Sequence, residues 1–165
     1  MGRINDDIYV NGTLSAATLT IPTASLVNSQ VSPSADIDAS KLEHQYAFTY
    51  AQESATLASD EARVIHAVYG VNGTIIGIDA GSVVACTGTD KVEIDLLKDG
   101  VSVLTAKITL DSSNVAYTPE AGSIDTATLE DGDVLEVSID ATAGDGVLAK
   151  GVYVTVIIRE DAAST

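Results

Sequence analysis

From Ala47 onward, apolar and polar residues alternate with a period of two, which is the pattern of strands with one buried face. The alternation is clearest at Lys91 to Leu97, Leu104 to Leu110 and Leu135 to Asp140. The residues predicted to face inward are Ile76, Ile78, Ala80, Val92, Ile94, Leu96, Leu104, Ala106, Ile108, Leu110, Leu135, Val137, Ile139, Val152, Val154, Val156 and Ile158.

This pattern determines the predicted fold class. A helical period of 3.6 is not sustained anywhere, so a helix-rich fold is excluded. About seven or eight strands, each with one apolar face, require two sheets that cover each other. Asn72-Gly73 and Asp99-Gly100 supply tight turns between strands. The sequence therefore predicts an all-β protein, in which residues 47–165 form an antiparallel β-sandwich of jelly-roll type.

The segment Arg63 to Val71 (RVIHAVYGV) is predicted to be one long strand that is apolar on both faces. With Val64 and Val68 facing the core, Ile65 and Tyr69 would be exposed on the other face. An exposed apolar stripe usually marks an interface, so we predict a subunit contact here. The aromatic residues at the start of the domain are explained either by packing of the first strand or by the same contact. The predicted interface residues are Tyr46, Phe48, Tyr50, Ile65 and Tyr69.

Residues 1–46 have a different character, and we predict that they form an extended N-terminal arm. Asn11-Gly12 is a two-residue hairpin signal, Thr18 to Ile21 alternate as a short strand, and Asp38 to Glu43 fit one helical turn. The segment has too little apolar surface to offset its ordering entropy, so it is either disordered or ordered by a partner. Its apolar residues are candidates for that contact: Ile8, Tyr9, Val10, Leu14, Leu19, Ile21, Leu26 and Val27.

The formal net charge is −16, from 24 acidic and 8 basic residues. Binding to nucleic acid needs a positive surface, so we expect no nucleic-acid partner, and an anionic membrane is disfavoured for the same reason. The charge serves either solubility or attraction to a basic partner. The N-terminus has no apolar run of signal-peptide length, and no segment reaches about 18 apolar residues. We expect a protein made in the cytoplasm that does not span a membrane.

The sequence lacks the signatures of catalysis. Neither a GxSxG elbow nor a phosphate-binding GxxxxGK[ST] or GxGxxG loop is present. His44 and His66 lie apart, with no second ligand at metal-binding spacing, and His66 is interpreted as a core or interface residue. We therefore predict that the chain is not an enzyme and that it has no cofactor and no metal site.

Cys86 and the acidic segments of the domain each have a structural explanation and one functional alternative. Cys86 is the only cysteine, so it is either a buried thiol or half of a disulfide between chains. The acidic segments Glu130–Asp133 and Asp140–Asp145 could offer oxygen ligands to calcium. Neither matches an EF-hand loop, and Asp-Gly pairs are common in turns.

The segment that joins the two parts resembles a sequence motif found in tailed-bacteriophage virion proteins. The shared residues are Val27, Asn28, Val31, Ala35, Ile37, Ala39, Ser40, Lys41, Leu42, Glu43, His44 and Gln45. Together with an acidic β-domain behind an extended arm, they make the chain similar to the capsid decoration (cement) and head-surface proteins.

The resemblance implies a structural virion protein on the outer surface of the capsid. Such proteins are commonly homotrimers on threefold and quasi-threefold positions, with the major capsid protein as partner. Their arms lie across neighbouring capsomers and can add strands to exposed sheet edges. The alternative is a fibre or adhesin module that binds a host glycan or protein. A hydrolase-like accessory domain is a third possibility, but the sequence has no assembled catalytic set.

Overall fold

The computed structural model describes residues 44–161, and every helix-or-strand element in this range is a β-strand. The strands are β1 (His44–Ala51), β2 (Glu61–Ala67), β3 (Gly73–Val84), β4 (Lys91–Lys98), β5 (Val101–Ser102), β6 (Ile108–Leu110), β7 (Glu120–Ala121), β8 (Thr128–Leu129), β9 (Val134–Thr142) and β10 (Lys150–Glu160). The predicted hairpin at Asn11-Gly12, the strand at Thr18 to Ile21 and the helical turn at Asp38 to Glu43 lie outside the described residues.

The strands form two antiparallel sheets. The first has the order β1-β10-β3-β7, with β8 also paired to β3. The second has the order β2-β9-β4-β5, with β6 also paired to β4. All of these pairs are antiparallel, and the two sheets pack their apolar faces against each other. The predicted all-β sandwich is therefore confirmed.

The strand order is that of a jelly roll. Consecutive strands alternate between the sheets, since β1 and β3 belong to the first sheet and β2 and β4 to the second. The last two long strands, β9 and β10, insert between earlier ones, which makes the Greek-key connections of this fold. β5 with β6, and β7 with β8, each fill one position in short pieces, so ten strands occupy the eight positions of a jelly roll.

The core lies between the sheets and consists of aliphatic side chains. Val92, Ile94 and Leu96 on β4 are fully buried and belong to the same core cluster as the inward residues of β10. Every residue that the alternation predicted to face inward is buried, with the exceptions of Ile76 and Ala106. The prediction was right because each strand position alternates strictly between water and the opposite sheet.

Ile76 is exposed because a β-bulge interrupts the pairing of β3 with β10. Ile158 pairs with Ile75, whereas the preceding Ile157 pairs with Gly77, so Ile76 is left between them. The bulge shifts the inward face, and Ile76 is 42% exposed while Ile75 is buried. Ala106 is exposed because it lies between β5 and β6, where the predicted continuous strand is interrupted.

A second bulge corrects the prediction for β2. Val64 pairs with Glu136 and His66 pairs with the adjacent Leu135, so Ile65 is the extra residue. As a result Val64 is 56% exposed, whereas Ile65 is half-buried and packs against the core. The predicted assignment of Val64 to the core and Ile65 to the exposed face was wrong. The strand also ends at Ala67 rather than continuing to Val71.

The Asp99-Gly100 turn joins β4 to β5 as the sequence predicts. Both residues have positive φ, 50° at Asp99 and 80° at Gly100, which is the left-handed conformation that a tight hairpin turn requires. At Asn72-Gly73, by contrast, Asn72 ends a connection between the two sheets and Gly73 begins β3, because β2 and β3 belong to different sheets.

We predict that Ile94→Ala lowers the free energy of unfolding by about 2–5 kcal/mol, because it removes a fully buried side chain and leaves a cavity. The matched control is Val101→Ala, at a residue that is 70% exposed, which should change stability by at most about 0.5 kcal/mol. Urea unfolding of both variants provides the measurement. Equal losses in the two variants would contradict the position of the core.

Candidate functional site

Within residues 44–161, the first strand, β1, forms one edge of its sheet, and β10 is its only pairing partner. The Gln52 amide donates to the Val152 carbonyl at 2.8 Å, in the same register that pairs Ala51 with Tyr153. In an antiparallel ladder, hydrogen-bonded and non-hydrogen-bonded pairs alternate. The even-numbered residues of β1 therefore bond to β10, and the odd-numbered residues direct their amides and carbonyls away from it.

We call these outward-directed residues the free edge of β1; they are Gln45, Ala47, Thr49 and Ala51. Within residues 44–161, none of their four amides donates a backbone hydrogen bond outside the strand ladders. All four residues are exposed. The free edge can therefore pair with an additional strand without breaking any bond within the sandwich.

Natural proteins usually protect a long sheet edge with a bulge, a proline, a charged side chain or a short strand. The eight-residue β1 has no bulge, no proline and no Asp, Glu, Lys or Arg. By contrast, β2 at the corresponding edge of the second sheet carries a bulge together with Glu61 and Arg63. On the far side of the sandwich, β5 and β7 are only two residues long. Among the described edges, β1 is the long one that lacks protection.

The inward face of β1 carries an aromatic row, which we define as His44, Tyr46, Phe48 and Tyr50. Successive ring centroids are 6.3 Å apart for His44 and Tyr46 and 6.2 Å apart for Tyr46 and Phe48. Phe48 and Tyr50 are half-buried and pack against the core, while Tyr46 is 38% exposed. The row thus forms the margin of the core, and part of its apolar surface remains uncovered in a single chain.

A polar network joins the end of β1 to the start of β2. The Tyr50 hydroxyl and the Arg63 guanidinium both donate to the Glu61 carboxylate, and the guanidinium lies 5.6 Å from the centroid of the Tyr50 ring. These two hydrogen bonds hold the pKa of Glu61 below its usual value, although partial burial opposes the shift. Burial and the Glu61 carboxylate raise the pKa of Tyr50, so its hydroxyl remains a donor at neutral pH.

His66 on β2 contacts Phe48 on β1, with the two ring centroids 4.5 Å apart. Its Nε2 atom is buried and has no hydrogen-bond partner within the described part of the chain. Burial lowers the pKa of His66, and the charge of Glu160 opposes that effect. The neutral imidazole therefore packs as an aromatic group.

The structure brings together three of the five predicted interface residues, since Tyr46, Phe48 and Tyr50 lie on β1. Ile65 lies on β2 and packs against the core. Tyr69 is separate: it is 89% exposed and lies on the loop between β2 and β3. The predicted arm contacts lie outside the described residues: Ile8, Tyr9, Val10, Leu14, Leu19, Ile21, Leu26 and Val27.

The acidic loops use their carboxylates as internal acceptors. Asp145 accepts hydrogen bonds from the Thr89 amide and hydroxyl, and Asp133 accepts one from the Glu130 amide. Lys98 lies 3.1 Å from the Asp133 carboxylate. Between His44 and Asp161, no three His, Cys, Asp or Glu side chains are arranged to hold a metal ion. The carboxylates of these loops are thus explained by turn structure.

Cys86 is a buried thiol, as one of the two sequence alternatives predicts. Its Sγ donates to the Leu110 carbonyl at 3.5 Å and accepts from the Ala149 amide at 3.2 Å. Burial raises the pKa of the thiol, which disfavours the reactive thiolate.

No helix among the described residues is long and apolar enough to cross a membrane.

Comparison with known proteins shows little similarity. No protein-family model and no curated protein matches the chain. Among solved structures, a chain in the structure of infectious bursal disease virus Gt strain superposes with a TM-score of 0.29 and 13% sequence identity. The match covers 87% of this chain and 41% of that chain, so this chain spans less than half the length of that protein. A superposition at this TM-score carries no argument about fold or function.

We predict that Glu61→Gln makes stability less sensitive to acid. Because the pKa of Glu61 is lower in the folded protein, its ionised form stabilises the fold above the pKa of the unfolded chain. That contribution is lost as the pH falls through the folded pKa. Glutamine does not titrate, so the variant lacks this contribution at every pH and cannot lose it on acidification. Urea midpoints between pH 7 and about pH 3 should therefore fall less in the variant than in the wild type. A parallel decline in both proteins would contradict the network.

Proposed function

We propose that this chain is a structural virion protein that binds the outside of a bacteriophage capsid and reinforces the contacts between capsomers. The N-terminal arm attaches the protein to the major capsid protein, and the β-sandwich forms a homotrimer. The protein performs no catalysis, needs no cofactor and binds neither nucleic acid nor membrane. It is made in the host cytoplasm and functions on the capsid surface.

The observation that carries this proposal is the position of the free edge of β1. The unprotected edge strand begins at His44, directly where the arm joins the sandwich. In a protein that acts alone, such an edge is usually blocked, because an open edge is a template for pairing with another chain. An open edge at the junction with an arm is therefore suited to assembly with other polypeptides.

The fold is consistent with this role and does not decide it. Jelly rolls occur in viral capsid domains and also in lectins, so function has to be argued from the site. The resemblance to decoration proteins is concentrated at Ala35 to Gln45, and its last two residues, His44 and Gln45, open β1. The sequence motif that resembles virion proteins thus extends into the edge strand β1.

The proposed mechanism is reinforcement by many weak contacts. An arm that becomes ordered on contact can span a large surface at modest affinity for its area. Many copies on one shell then hold neighbouring capsomers together, because each local contact is supported by the others. The net charge of −16 keeps unattached copies apart and favours contact with basic surfaces.

The alternative, an adhesin, is favoured by one feature of the structure. Tyr117 is 72% exposed on the loop between β6 and β7 and has a φ of 63°, an uncommon conformation for a bulky residue. Strained, exposed aromatic residues can serve binding, and tyrosine stacks on sugars. Reproducible glycan-array binding that is lost in Tyr117→Ala would favour the adhesin.

We predict that deleting residues 1–30 abolishes binding to the capsid and leaves the sandwich folded, because residues 44–161 contain their own core. The test measures how many copies bind to capsids of the same phage from which the native protein has been removed. The control is Val101→Asp in the full chain, which alters an exposed residue of the sandwich and should bind normally. Normal occupancy by the truncated protein would refute attachment through the arm.

A further inference from the structure

We propose that the free edge of β1 accepts the segment Thr18–Ile21 from the arm of a second copy of this chain. The added strand extends the first sheet beyond β1, and three copies exchange arms in a ring. This inference rests on the homotrimer of the proposed function and specifies how that trimer is held together. It leaves the first part of the arm, including Ile8 to Val10, available for the capsid.

The hydrogen bonding of β1 leaves its outer edge open. Because its even-numbered residues bond to β10, the outward amides and carbonyls of Ala47 and Thr49 remain available. An incoming strand would satisfy these groups through main-chain bonds, which is how strand addition achieves affinity. No bond inside the sandwich has to break first.

The side chains of the segment Thr18–Ile21 match those on the inward face of β1. Thr18-Leu19-Thr20-Ile21 alternates polar and apolar residues, so one face of the added strand carries Leu19 and Ile21. With that face turned inward, the two side chains lie beside the aromatic row, where Tyr46 is exposed and Phe48 is half-buried. Covering this margin removes apolar surface from water, which favours association.

The distribution of charge also favours pairing of these two strands. The chain carries a net charge of −16, so two copies repel each other over most of their surface. Neither β1 nor the segment Thr18–Ile21 contains an Asp, Glu, Lys or Arg. The two strands can thus meet without placing like charges opposite each other, which would destabilise a cross-strand pair.

The length of the intervening chain and the symmetry of the pairing both fit a trimer. Residues 22–43 separate the segment from β1, and 22 residues span at most about 80 Å when extended. This reach exceeds the size of a domain of this length, whose radius of gyration is about 13 Å. Pairing of β1 with β1 of another copy would be twofold and would not build a trimer, whereas arm exchange is head-to-tail and closes into a ring.

The test is Ala47→Pro in the full-length chain. Ala47 faces Ile157 without a hydrogen bond, so proline removes only the outward amide, and proline is tolerated on edge strands in that orientation. The matched control is Ala47→Thr, which keeps the amide. Light scattering at tens of micromolar should give trimers for the wild type and Ala47→Thr, and monomers for Ala47→Pro and for the chain lacking residues 1–30.

Three results would overturn the inference: a monomeric wild type, a trimeric Ala47→Pro variant, or a truncated chain that still forms trimers. The last result would mean that something other than the arm occupies the edge. Far-UV circular dichroism and the urea midpoint show whether Ala47→Pro is folded. Trimers that behave as expected but do not bind capsids would refute the proposed function and leave arm exchange intact.

Amide hydrogen exchange provides a second readout that needs no substitution in β1. The Ala47 and Thr49 amides should exchange at least about tenfold more slowly in the full-length chain than in the truncated one, because only the former has a strand to protect them. The even-numbered residues of β1 serve as internal controls, since they bond to β10 in both proteins. Equal rates at Ala47 and Thr49 would overturn the inference even if Ala47→Pro failed to fold.

Discussion

The burial of one sheet face against the other is the constraint on which the rest of residues 44–161 depends. Each long strand has an apolar side that cannot remain in water, and the two sheets satisfy this requirement by covering each other. Fully buried aliphatic residues such as Ile94, Val137 and Val156 form the resulting layer. The jelly-roll order then follows from inserting β9 and β10 between earlier strands of the two sheets. This packing covers one face of each sheet, but it does not protect the edge strands.

The edge strands are protected differently on the two sides of the sandwich. On one side the edge strands are two residues long, and on the other β2 has a bulge and a charged network through Glu61 and Arg63. Only β1, among the edges described, is long, regular and free of charged residues. Residues 1–43 precede this strand in the chain, so the open edge and the proposed arm are best explained together. A structural protein that assembles with other chains is the function this combination supports.

The sequence predicted the fold class and most of the core because period-two alternation directly reports which side chains face the opposite sheet. It failed at Val64, Ile65 and Ile76, since a bulge adds one residue and reverses the alternation without any mark in the sequence. The gathering of Tyr46, Phe48 and Tyr50 at one margin was predictable from their spacing on one strand. The free edge was not, because the direction of each β1 amide depends on its register with β10, more than 100 residues later in the chain. The contacts of Tyr50 with Glu61 and of Phe48 with His66 likewise depend on how two sheets are stacked.

The most direct test of the central claim is the position of the protein on the particle, determined by cryo-electron microscopy of intact virions. If the protein reinforces contacts between capsomers, density for three sandwiches should surround the threefold and quasi-threefold positions of the capsid. Density for each arm should lead from the start of β1 onto neighbouring capsomers. Density confined to the tail or to protruding fibres, with bare threefold positions, would contradict the proposed function and favour host attachment.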